Sequence, residues 1–301
     1  MYDIIIIGGG TAGLSAAIYG VRAGKKVLVL ESASYGGQII TSPEVENYPG
    51  IKKISGFEFA TNLYEQAMEL GTEIDFAKVT QIREDGAQKI VVTEEKEYAC
   101  RAVILASGAK NRPLGLEKEQ ELIGKGISYC ATCDGAFYKG KTVAVNGGGN
   151  TALEDATFLT GYCEKVYLIH RRDSFRGEHK QVEALRQKAN LEFVLDSKIV
   201  KLTADTRLKA IEVQNVKTNE IRVIEVSGLF VAIGQMPENG AFSPPVQLDQ
   251  AGYIVAGEDC KTNVDGIFAA GDCRTKTVRQ LATAAADGAV AALAACDYIR
   301  D

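Results

Sequence analysis

The sequence predicts an α/β protein that contains two copies of one β-α-β plan. In the first copy the apolar run Ile4 to Ile7 leads into a glycine cluster and then into an Ala-rich helical stretch. The same order of apolar run, glycines and helix returns from Val143 onwards. An internal repeat of this length corresponds to two related domains rather than to a solenoid. We therefore predict two Rossmann-like domains, each a three-layer β/β/α dinucleotide-binding fold, with the second inserted into the first.

The first glycine cluster, Gly8 to Gly13, lies between a predicted strand and a predicted helix. In such a fingerprint the first glycine permits a tight turn, Gly10 lets the backbone approach a pyrophosphate, and Gly13 lets the helix pack closely. The pyrophosphate binds at the helix N-terminus. A glycine pattern alone is weak evidence, and tight turns in a packed α/β core are the alternative. The β-α-β context of both patterns favours nucleotide binding.

The residues that end the second strand of each copy distinguish the two nucleotides. Glu31 ends the first of these strands, and a carboxylate there accepts hydrogen bonds from a ribose diol but repels a 2′-phosphate, which suits FAD or NAD(H). The equivalent place in the second copy holds His170 and then Arg171, Arg172 and Arg176. Guanidinium groups pair with phosphate, so we expect NADPH there. A solvated basic face at a helix start is the alternative.

The later segments predict the order of the domains. Each copy ends in an apolar strand followed by a glycine, at Gly108 and at Gly234. The strand and turn at Gly266 to Asp272, and the helix from about Val278 to Cys296, have no counterpart in the second copy, so we assign them to the first domain. The prediction is an FAD-binding domain of residues 1–112 and 243–301, interrupted by an NADPH-binding domain of residues 113–242.

A Cys-x-x-Cys pair, Cys130 and Cys133, lies inside the predicted insertion and is followed by Asp134. A structural zinc site would need a second pair of ligands, and the two histidines, His170 and His179, lie in or next to the predicted NADPH site, so we predict no metal. A buried, inert pair is a further alternative, but the polar residues that follow indicate an exposed turn or helix start. A redox disulfide is favoured, because a helix N-terminus promotes thiolate formation. Asp134 either transfers a proton or caps the helix.

Composition narrows the class of protein. The 301-residue chain has a net charge of −5, which argues against a broad nucleic-acid interface. The sequence begins without a basic leader, and its longest weakly polar segment, Leu281 to Cys296, is shorter than a membrane span. We therefore expect a cytoplasmic protein with no membrane partner. The remaining cysteines, expected to be buried or inert, are Cys100, Cys163, Cys260, Cys273 and Cys296.

These parts combine into one electron relay. NADPH reduces the flavin, the reduced flavin cleaves the Cys130–Cys133 disulfide, and the dithiol reduces an external disulfide through a mixed disulfide. The dithiol and the NADPH fingerprint share one predicted domain, and both must reach a flavin in the other. Unless they use opposite faces of the flavin, they must take turns. We hypothesise that the insertion swings about linkers near Pro113 and Phe242.

Taken together, the motifs resemble the low-molecular-weight, bacterial-type thioredoxin reductases over essentially the whole chain. The matching pieces are Gly8 to Gly13, Gly36-Gly37-Gln38, Val45 to Gly50, Cys130 to Asp134, Gly147 to Ala152, His170 to Arg176, Gly271-Asp272 and Arg279-Gln280. The resemblance implies an NADPH-dependent, FAD-containing homodimer whose protein substrate is oxidised thioredoxin.

The resemblance also implies roles for individual residues. Cys133 would face the flavin, Cys130 would exchange with thioredoxin, and Asp134 would act as the acid. Asp272 would contact the ribityl or pyrophosphate part of FAD, with Arg279 and Gln280 near the isoalloxazine. The implied FAD set is Gly8, Gly10, Thr11, Ala12, Gly13, Glu31, Gly36, Gly37, Gln38, Asn47, Gly108, Gly271, Asp272, Arg279, Gln280 and Leu281. The implied NADPH set is Gly147, Gly149, Asn150, Thr151, Ala152, His170, Arg171, Arg172 and Arg176.

Three places depart from the family pattern. Thr11 stands where the family usually has proline, which we expect to be tolerated because the glycines are intact. Asn146 replaces the last apolar residue before the second glycine turn, and we expect it to perturb NADPH binding slightly. The segment Gln235-Met236-Pro237 is a less familiar version of its counterpart.

Other functions fit parts of the same pattern. The same relay could serve another acceptor, such as a glutaredoxin-like protein, a peroxidase-associated thiol module or a small disulfide. A ferredoxin-driven reductase fits less well, because the arginine cluster would then have no phosphate to bind. A module that senses NADPH or redox state without turnover belongs to a different class, and the intact Cys-x-x-Cys with its adjacent acid argues against it.

Overall fold

A computed structural model describes residues 1–42 and 44–300 of the chain. The strands are β1 (Tyr2–Ile7), β2 (Val27–Glu31), β3 (Glu73–Phe76), β4 (Val79–Asp85), β5 (Gln88–Thr93), β6 (Glu97–Leu105), β7 (Lys110–Asn111), β8 (Ile127–Ser128), β9 (Thr142–Gly147), β10 (Lys165–Ile169), β11 (Leu191–Val194), β12 (Ser197–Ala204), β13 (Leu208–Asn215), β14 (Ile221–Glu225), β15 (Gly228–Ala232), β16 (Gln235–Met236) and β17 (Ile267–Ala269). The helices are α1 (Thr11–Arg22), α2 (Gly56–Glu69), α3 (Ala131–Asp134), α4 (Asn150–Thr160), α5 (His179–Arg186) and α6 (Leu281–Arg300). Short 3-10 turns cover Gly37–Thr41, Gln120–Leu122, Gly135–Tyr138, Gly240–Phe242 and Gly271–Cys273.

The chain divides into two compact units. A discontinuous unit comprises Met1–Lys110 and Met236–Asp301, and an inserted unit comprises Asn111–Gln235. The ends of the inserted unit are tied together, because the Gln235 side chain donates a hydrogen bond to Asn111 at 3.1 Å. Phe242, predicted as the end of the insertion, is instead buried in the core of the discontinuous unit beside Val246 and Ile254. The inserted unit is therefore shorter than residues 113–242 at its C-terminal end.

The discontinuous unit has three layers. Strands β3, β2, β1, β6 and β17 are parallel, and the antiparallel strands β4 and β5 branch from β6. Alternate residues of β1 point to opposite faces: Ile4 and Ile6 pack against α1 and α6, whereas Ile5 and Ile7 pack towards the β4–β5 hairpin. The strand reads as a continuous apolar run because both of its faces are covered.

The inserted unit repeats this arrangement. Its parallel sheet has the strand order β11-β10-β9-β15-β8, and a three-stranded antiparallel sheet, β12-β13-β14, forms the outer layer. Val143 and Val145 of β9 pack against α4, whereas Ala144 faces the antiparallel sheet. The predicted α/β class with two related three-layer domains is confirmed.

Helix α6 begins at Leu281 and ends at Arg300, so it lies further along the chain than the predicted helix from about Val278 to Cys296. It runs for 20 residues, and by length and composition it is, among the described residues, the one helix that could cross a membrane. The predicted end of the helix at Cys296 was therefore wrong, because the helix continues to Arg300. One side of the helix is nevertheless core: a Cβ added to Gly288 would lie 2.2 Å from the Ala12 carbonyl oxygen, and Ser15 donates a hydrogen bond to the Ala285 carbonyl at 2.7 Å. This close packing against α1 explains much of its apolar character.

Candidate functional site

The N-terminal glycine cluster is a closely packed turn between β1 and α1. Gly8 has a φ of +110°, and a Cβ there would lie 2.3 Å from the Ala106 carbonyl oxygen. A Cβ on Gly13 would lie 1.8 Å from the Gly8 carbonyl oxygen. At Gly10 an added Cβ would make only ordinary van der Waals contact, the nearest atom being the Gly37 Cα at 3.9 Å. The first and third glycines thus serve packing, whereas the second lies against the segment that contains Gly36 and Gly37.

A second glycine pair faces the start of α1. The Gly36 N–H donates to the Gly9 carbonyl at 2.8 Å, and Gly36 forms a parallel β-bridge with Gly10. Gly37 has a φ of +66°, and a Cβ there would lie 3.3 Å from the Gly10 Cα. Backbone from two segments therefore forms a cradle without side chains, and a diphosphate fits such a cradle because its oxygens accept hydrogen bonds from N–H groups.

Polar side chains surround this cradle within the discontinuous unit. Glu31, at the end of β2, accepts hydrogen bonds from the N–H groups of Gly9 at 2.7 Å and Ala33 at 3.0 Å. The Asn47 amide donates to the Gln280 side chain at 3.2 Å, which brings together two residues far apart in sequence. Gln38 donates to the Ala109 carbonyl, beside Gly108, whose φ is +69°.

The turn at Gly271–Cys273 lies against the start of α1. A Cβ on Gly271 would be 2.8 Å from the Ala12 Cβ. Asp272 is half-buried, and its Oδ1 is buried with no hydrogen-bond partner among the described residues. Burial raises the pKa of the Asp272 carboxyl. A buried acceptor without a partner is costly unless a ligand donates to it, so this residue fits the hydroxyl groups of a flavin nucleotide.

Arg279, the next residue predicted for FAD, lies over the aromatic ring of Tyr253. The guanidinium of Arg279 lies 4.4 Å from the centre of the Tyr253 ring, and its Nη2 donates to the Arg274 carbonyl at 3.5 Å. The Arg279 Nε is buried without a partner among the described residues. Gln280 and Leu281 follow directly, and Leu281 begins α6. The residues predicted for FAD therefore converge in one region of the discontinuous unit.

The second glycine turn carries the arginine loop. A Cβ on Gly147 would lie 2.3 Å from the Ala232 carbonyl oxygen, whereas Gly149 has nothing within 4 Å. The Arg176 N–H donates to the Gly148 carbonyl at 2.8 Å, and the Asn150 side chain accepts from the Glu178 N–H at 2.9 Å. The loop that contains the arginines is thereby folded back onto the N-terminus of α4, where Thr151 is exposed and Ala152 is buried.

The buried ring of His170 packs against the second glycine turn. Its ring packs so closely on Gly148 that a Cβ there would lie 2.1 Å from the ring, and it stacks on Phe175 at 5.3 Å. Burial, reinforced by the neighbouring guanidinium groups, lowers the pKa of His170 and so favours the neutral ring. Its Nε2 is buried with no partner among the described residues. Arg171, Arg172 and Arg176 are exposed around it, and this donor set fits a nucleotide that carries a 2′-phosphate.

The dithiol lies at the start of α3 in the inserted unit. Cys130 is the N-cap residue of the helix, and its sulfur is bonded to that of Cys133 with the Cα atoms 5.3 Å apart. Both cysteines are half-buried. The pair is therefore oxidised and partly accessible, as a disulfide that exchanges with a protein partner must be.

Asp134 ends α3 and does not cap it. One carboxylate oxygen accepts a hydrogen bond from the Ser128 hydroxyl at 2.6 Å, and the other is buried without a partner among the described residues. Burial raises the pKa of Asp134, although the Ser128 hydrogen bond opposes this. The side chain makes no cap hydrogen bond to either adjoining turn, so the capping alternative is not what the structure shows. The carboxyl is suited to hold a proton close to the disulfide.

The other thiols are inert by comparison. Cys100, Cys163, Cys260, Cys273 and Cys296 are all buried. Burial raises the pKa of Cys100 and Cys260 to about 12 and that of Cys163 and Cys273 to about 11. Across residues 1–42 and 44–300 no group of three or more His, Cys, Asp or Glu side chains is placed to hold a metal ion. The reactive sulfur chemistry is therefore that of the Cys130–Cys133 pair.

Asp155 and Asp287 are buried acids that the sequence motifs did not indicate, and Glu119 is a third. Asp155 lies in α4, on the same side as the buried Ala152, Ala156 and Leu159, and an acid on an apolar helical stripe is a signal that could have been noticed. Asp287 lies in α6 and pairs with Arg274. Nothing in the sequence indicated this partner.

Comparison with known proteins shows the family to which the chain belongs. Residues 2–289 match the family of pyridine nucleotide-disulphide oxidoreductases, and the chain belongs to it. The predicted cofactors, FAD and NADPH, are those of this family, and the predicted oxidoreductase class is confirmed.

Individual relatives within this family are thioredoxin reductases. The chain is 42% identical to a thioredoxin reductase of Peptoclostridium acidaminophilum over 306 residues, which cover 99% of this chain and 97% of the relative. It is also 42% identical to a bifunctional thioredoxin reductase/thioredoxin of Mycobacterium leprae, over 97% of this chain and 65% of the relative. The crystal structure of thioredoxin reductase from Streptococcus pyogenes MGAS5005 has a TM-score of 0.95 at 36% identity, covering 100% of this chain and 98% of that one. The resemblance that the motifs indicated is confirmed.

Proposed function

We propose that the chain is an NADPH-dependent thioredoxin reductase. The observation that carries this proposal is the partly accessible Cys130–Cys133 disulfide in the unit that also bears the arginine-lined nucleotide site. A second nucleotide cradle lies in the discontinuous unit. The bifunctional relative, whose name joins a reductase with a thioredoxin, supports thioredoxin as the protein substrate.

FAD, when bound, carries two electrons from NADPH to the disulfide. In this proposal the backbone of Gly10 and Gly37 approaches the FAD diphosphate, Glu31 accepts hydrogen bonds from a ribose, and Asp272 accepts one from a flavin-side hydroxyl. The remaining FAD contacts are assigned to Gly8, Thr11, Ala12, Gly13, Gly36, Gln38, Asn47, Gly108, Gly271, Arg279, Gln280 and Leu281. The FAD-binding domain is thus the discontinuous unit.

NADPH is assigned to the inserted unit. The N–H groups at the start of α4 hold its diphosphate, and Arg171, Arg172 and Arg176 hold its 2′-phosphate. Neutral His170 offers its Nε2 to the nucleotide without adding charge. The remaining contacts are assigned to Gly147, Gly149, Asn150, Thr151 and Ala152.

The disulfide is reduced and then exchanged. Two electrons break the Cys130–Cys133 bond and leave one thiolate and, with one proton, one thiol. The Cys130 thiolate attacks the thioredoxin disulfide, a mixed disulfide forms, and Cys133 displaces the reduced thioredoxin. Asp134 supplies the proton to the departing sulfur, a role that the raised pKa of its carboxyl favours.

The two half-reactions use different parts of one unit. We assign the exchange between them to rotation of the inserted unit about the crossings at residues 110–111 and 235–236, because the dithiol and NADPH must reach the same flavin in turn. A cross-link that fixes the two units should leave one half-reaction and remove steady-state turnover.

Substituting Arg171 and Arg176 with glutamine should raise the KM for NADPH by roughly 10- to 100-fold, because a hydrogen bond to a charged group contributes about 1.5–3 kcal/mol. The KM for NADH should change little. Steady-state kinetics with both nucleotides measures this, with Arg186→Gln, an exposed arginine of α5, as the control. Equal changes for NADPH and NADH would contradict the phosphate assignment.

The proposed function is tested by measuring which disulfide acceptor the protein reduces. The purified, FAD-loaded protein should oxidise NADPH rapidly in the presence of oxidised thioredoxin and slowly with a glutaredoxin or a small disulfide. A preference for one of the other acceptors would move the chain to the alternative reductase function. No turnover with any acceptor, despite bound FAD and NADPH, would support a sensing module.

We also propose a homodimer in the cytoplasm. The outer face of α6 exposes Val290 and Leu293, and Tyr19 of α1 is exposed beside a groove lined by Tyr48 and the alanines of α6. An apolar face of this kind fits a second copy of the chain. The free thiols of the five buried cysteines fit a reducing compartment.

Leu293→Lys should convert the protein to a monomer, because the substitution places a charge in the apolar interface. Light scattering should give twice the chain mass of 32.3 kDa for the wild type and a single chain mass for the variant. Ile221→Lys, at an exposed apolar position of β14, is the matched control and should remain dimeric. A monomeric wild type would refute the proposed dimer.

A further inference from the structure

A threonine hydroxyl lies beside the disulfide. Thr132 is the second residue of α3 and is exposed, and its Oγ1 lies 3.4 Å from the Cys130 sulfur. A sulfur atom in a disulfide carries no hydrogen, so the hydroxyl is the one of these two groups that can donate. Thr132 therefore directs a hydrogen-bond donor at the sulfur that is proposed to exchange with the protein substrate.

The backbone of Cys130 is held on both sides. Its N–H donates to the Ser128 hydroxyl at 3.1 Å, and its carbonyl accepts from the Asp134 N–H at 3.1 Å. Ser128 is 4% exposed and lies in register with Phe230 of the neighbouring strand β15. The branch at the threonine Cβ also restricts the rotation of its side chain. We therefore expect the Thr132 hydroxyl to remain beside the Cys130 sulfur after the disulfide is reduced.

The ionisable groups packed around the pair are mainly acids. The elements that pack most closely against α3 are α4 and the turn Gly135–Tyr138. The ionisable side chains of α3, of these two elements and of the residue before Cys130 are Tyr129, Cys133, Asp134, Tyr138, Glu154 and Asp155. Burial raises the pKa of Tyr138, and the exposed Arg207 of the β12–β13 turn opposes this rise. A thiolate at Cys130 is therefore stabilised by hydrogen bonds more than by a neighbouring cation.

We propose that Thr132 is a catalytic residue whose hydroxyl donates a hydrogen bond to the Cys130 sulfur and stabilises the attacking thiolate. The proposal rests on the proposed redox role of the pair. A hydrogen bond to an ionised acceptor is stronger than one to a neutral acceptor, so the hydroxyl favours the thiolate over the thiol. Thr132 thus increases the fraction of the reduced protein that is ready to attack a disulfide, whereas Asp134 serves proton transfer.

The ionisation of Cys130 can be measured directly and without turnover. Excess dithiothreitol reduces the disulfide of the FAD-loaded protein: its two thiols supply two electrons and two protons, the protein S–S bond breaks to give two thiols, and dithiothreitol becomes its cyclic disulfide. The dithiothreitol is removed anaerobically. Iodoacetamide labelling of Cys130 is then followed by peptide mass spectrometry from pH 5 to pH 10, which gives the pH midpoint of labelling.

Thr132→Val keeps the branched shape of the side chain and removes the hydroxyl, so the labelling midpoint should rise by about one pH unit. Thr132→Ala removes the hydroxyl without leaving the branch, and the midpoint should rise in the same way. Thr132→Ser keeps the hydroxyl and should stay near the wild-type midpoint. Thr157→Val is the matched control, because Thr157 is an exposed threonine of α4 whose hydroxyl donates to the Leu153 carbonyl at 2.7 Å.

An unchanged midpoint in Thr132→Val and Thr132→Ala would overturn the proposal. An equal rise in Thr132→Ser would also overturn it, because the hydroxyl would then not be the cause. A rise of the same size in Thr157→Val would do so as well. The variants at position 132 are expected to fold, because the side chain that they change is exposed.

The equilibrium between the disulfide and the dithiol gives an independent measurement. At a pH above both labelling midpoints, the equilibrium constant for reduction of the pair by dithiothreitol should be about tenfold lower in Thr132→Val than in the wild type, because the thiolate has lost a hydrogen bond. Equal constants would overturn the proposal. If the wild-type protein failed to reduce thioredoxin, the proposed function would fall, whereas the labelling and equilibrium results would still decide the role of Thr132.

Discussion

Serine in place of Cys130 or Cys133 should abolish NADPH-dependent reduction of thioredoxin. The two sulfurs form the disulfide that accepts the electrons, and a serine hydroxyl can neither accept them nor attack a disulfide. Neither cysteine lies in the proposed FAD or NADPH contacts. Bound FAD should therefore still bleach on anaerobic addition of NADPH in the Cys130→Ser variant.

The measurement is the rate of NADPH oxidation with thioredoxin, together with the flavin absorbance under anaerobic conditions. Cys163→Ala is the matched control, because this buried thiol of the same unit has a pKa raised to about 11 and should be dispensable for turnover. Loss of flavin reduction in Cys130→Ser would contradict the proposed roles, and so would thioredoxin reduction that survives either serine substitution.

Asp287→Asn should cost about 3–5 kcal/mol in the free energy of unfolding, because it breaks a buried ion pair and leaves a cation without its partner. Arg274 is 1% exposed, and its Nε and Nη2 donate to the two Asp287 oxygens, each at 2.8 Å. The same carboxylate accepts from the Lys276 amine and from the Gly271 N–H, both at 2.9 Å. The turn that presents Asp272 depends on this cluster, so the FAD content should fall as well.

Urea unfolding at pH 7 measures the loss. Glu258→Gln is a control on the same arginine, since Glu258 is 92% exposed and lies 3.5 Å from the Arg274 guanidinium, and it should cost less than about 1 kcal/mol. Equal losses of unfolding free energy in Asp287→Asn and Glu258→Gln would contradict the claim that the buried ion pair contributes more than the exposed one.

The stability that Asp287 contributes to the wild-type protein depends on pH in a defined direction. Burial raises the pKa of Asp287, but hydrogen bonds from Arg274 and Lys276 outweigh it and lower the pKa overall. The stability from this group is therefore present above its unfolded pKa and lost as the pH falls through the folded one.

Much of the candidate site could be predicted from the sequence, because it is formed by residues that are close together in the chain. The need for a positive φ at Gly8 and for a residue without a Cβ at Gly13 is expressed within the glycine cluster itself, and the spacing of Cys130 and Cys133 is equally local. The arginines that follow His170 are likewise read directly from the chain. Helix α6 and the boundary at residue 242 were misjudged because apolar runs do not show where they pack.

By itself, the sequence determined the two nucleotide fingerprints, the redox pair and the repeated α/β plan, because each of these depends on residues close together in the chain. Only the tertiary structure decided that Asp287 meets Arg274, that Ser128 donates to Asp134, and that Asp155 is buried. The state of a buried charge depends on the partners and the solvent that folding leaves around it. These surroundings come from other segments of the chain, and they decide which carboxyl groups hold a proton.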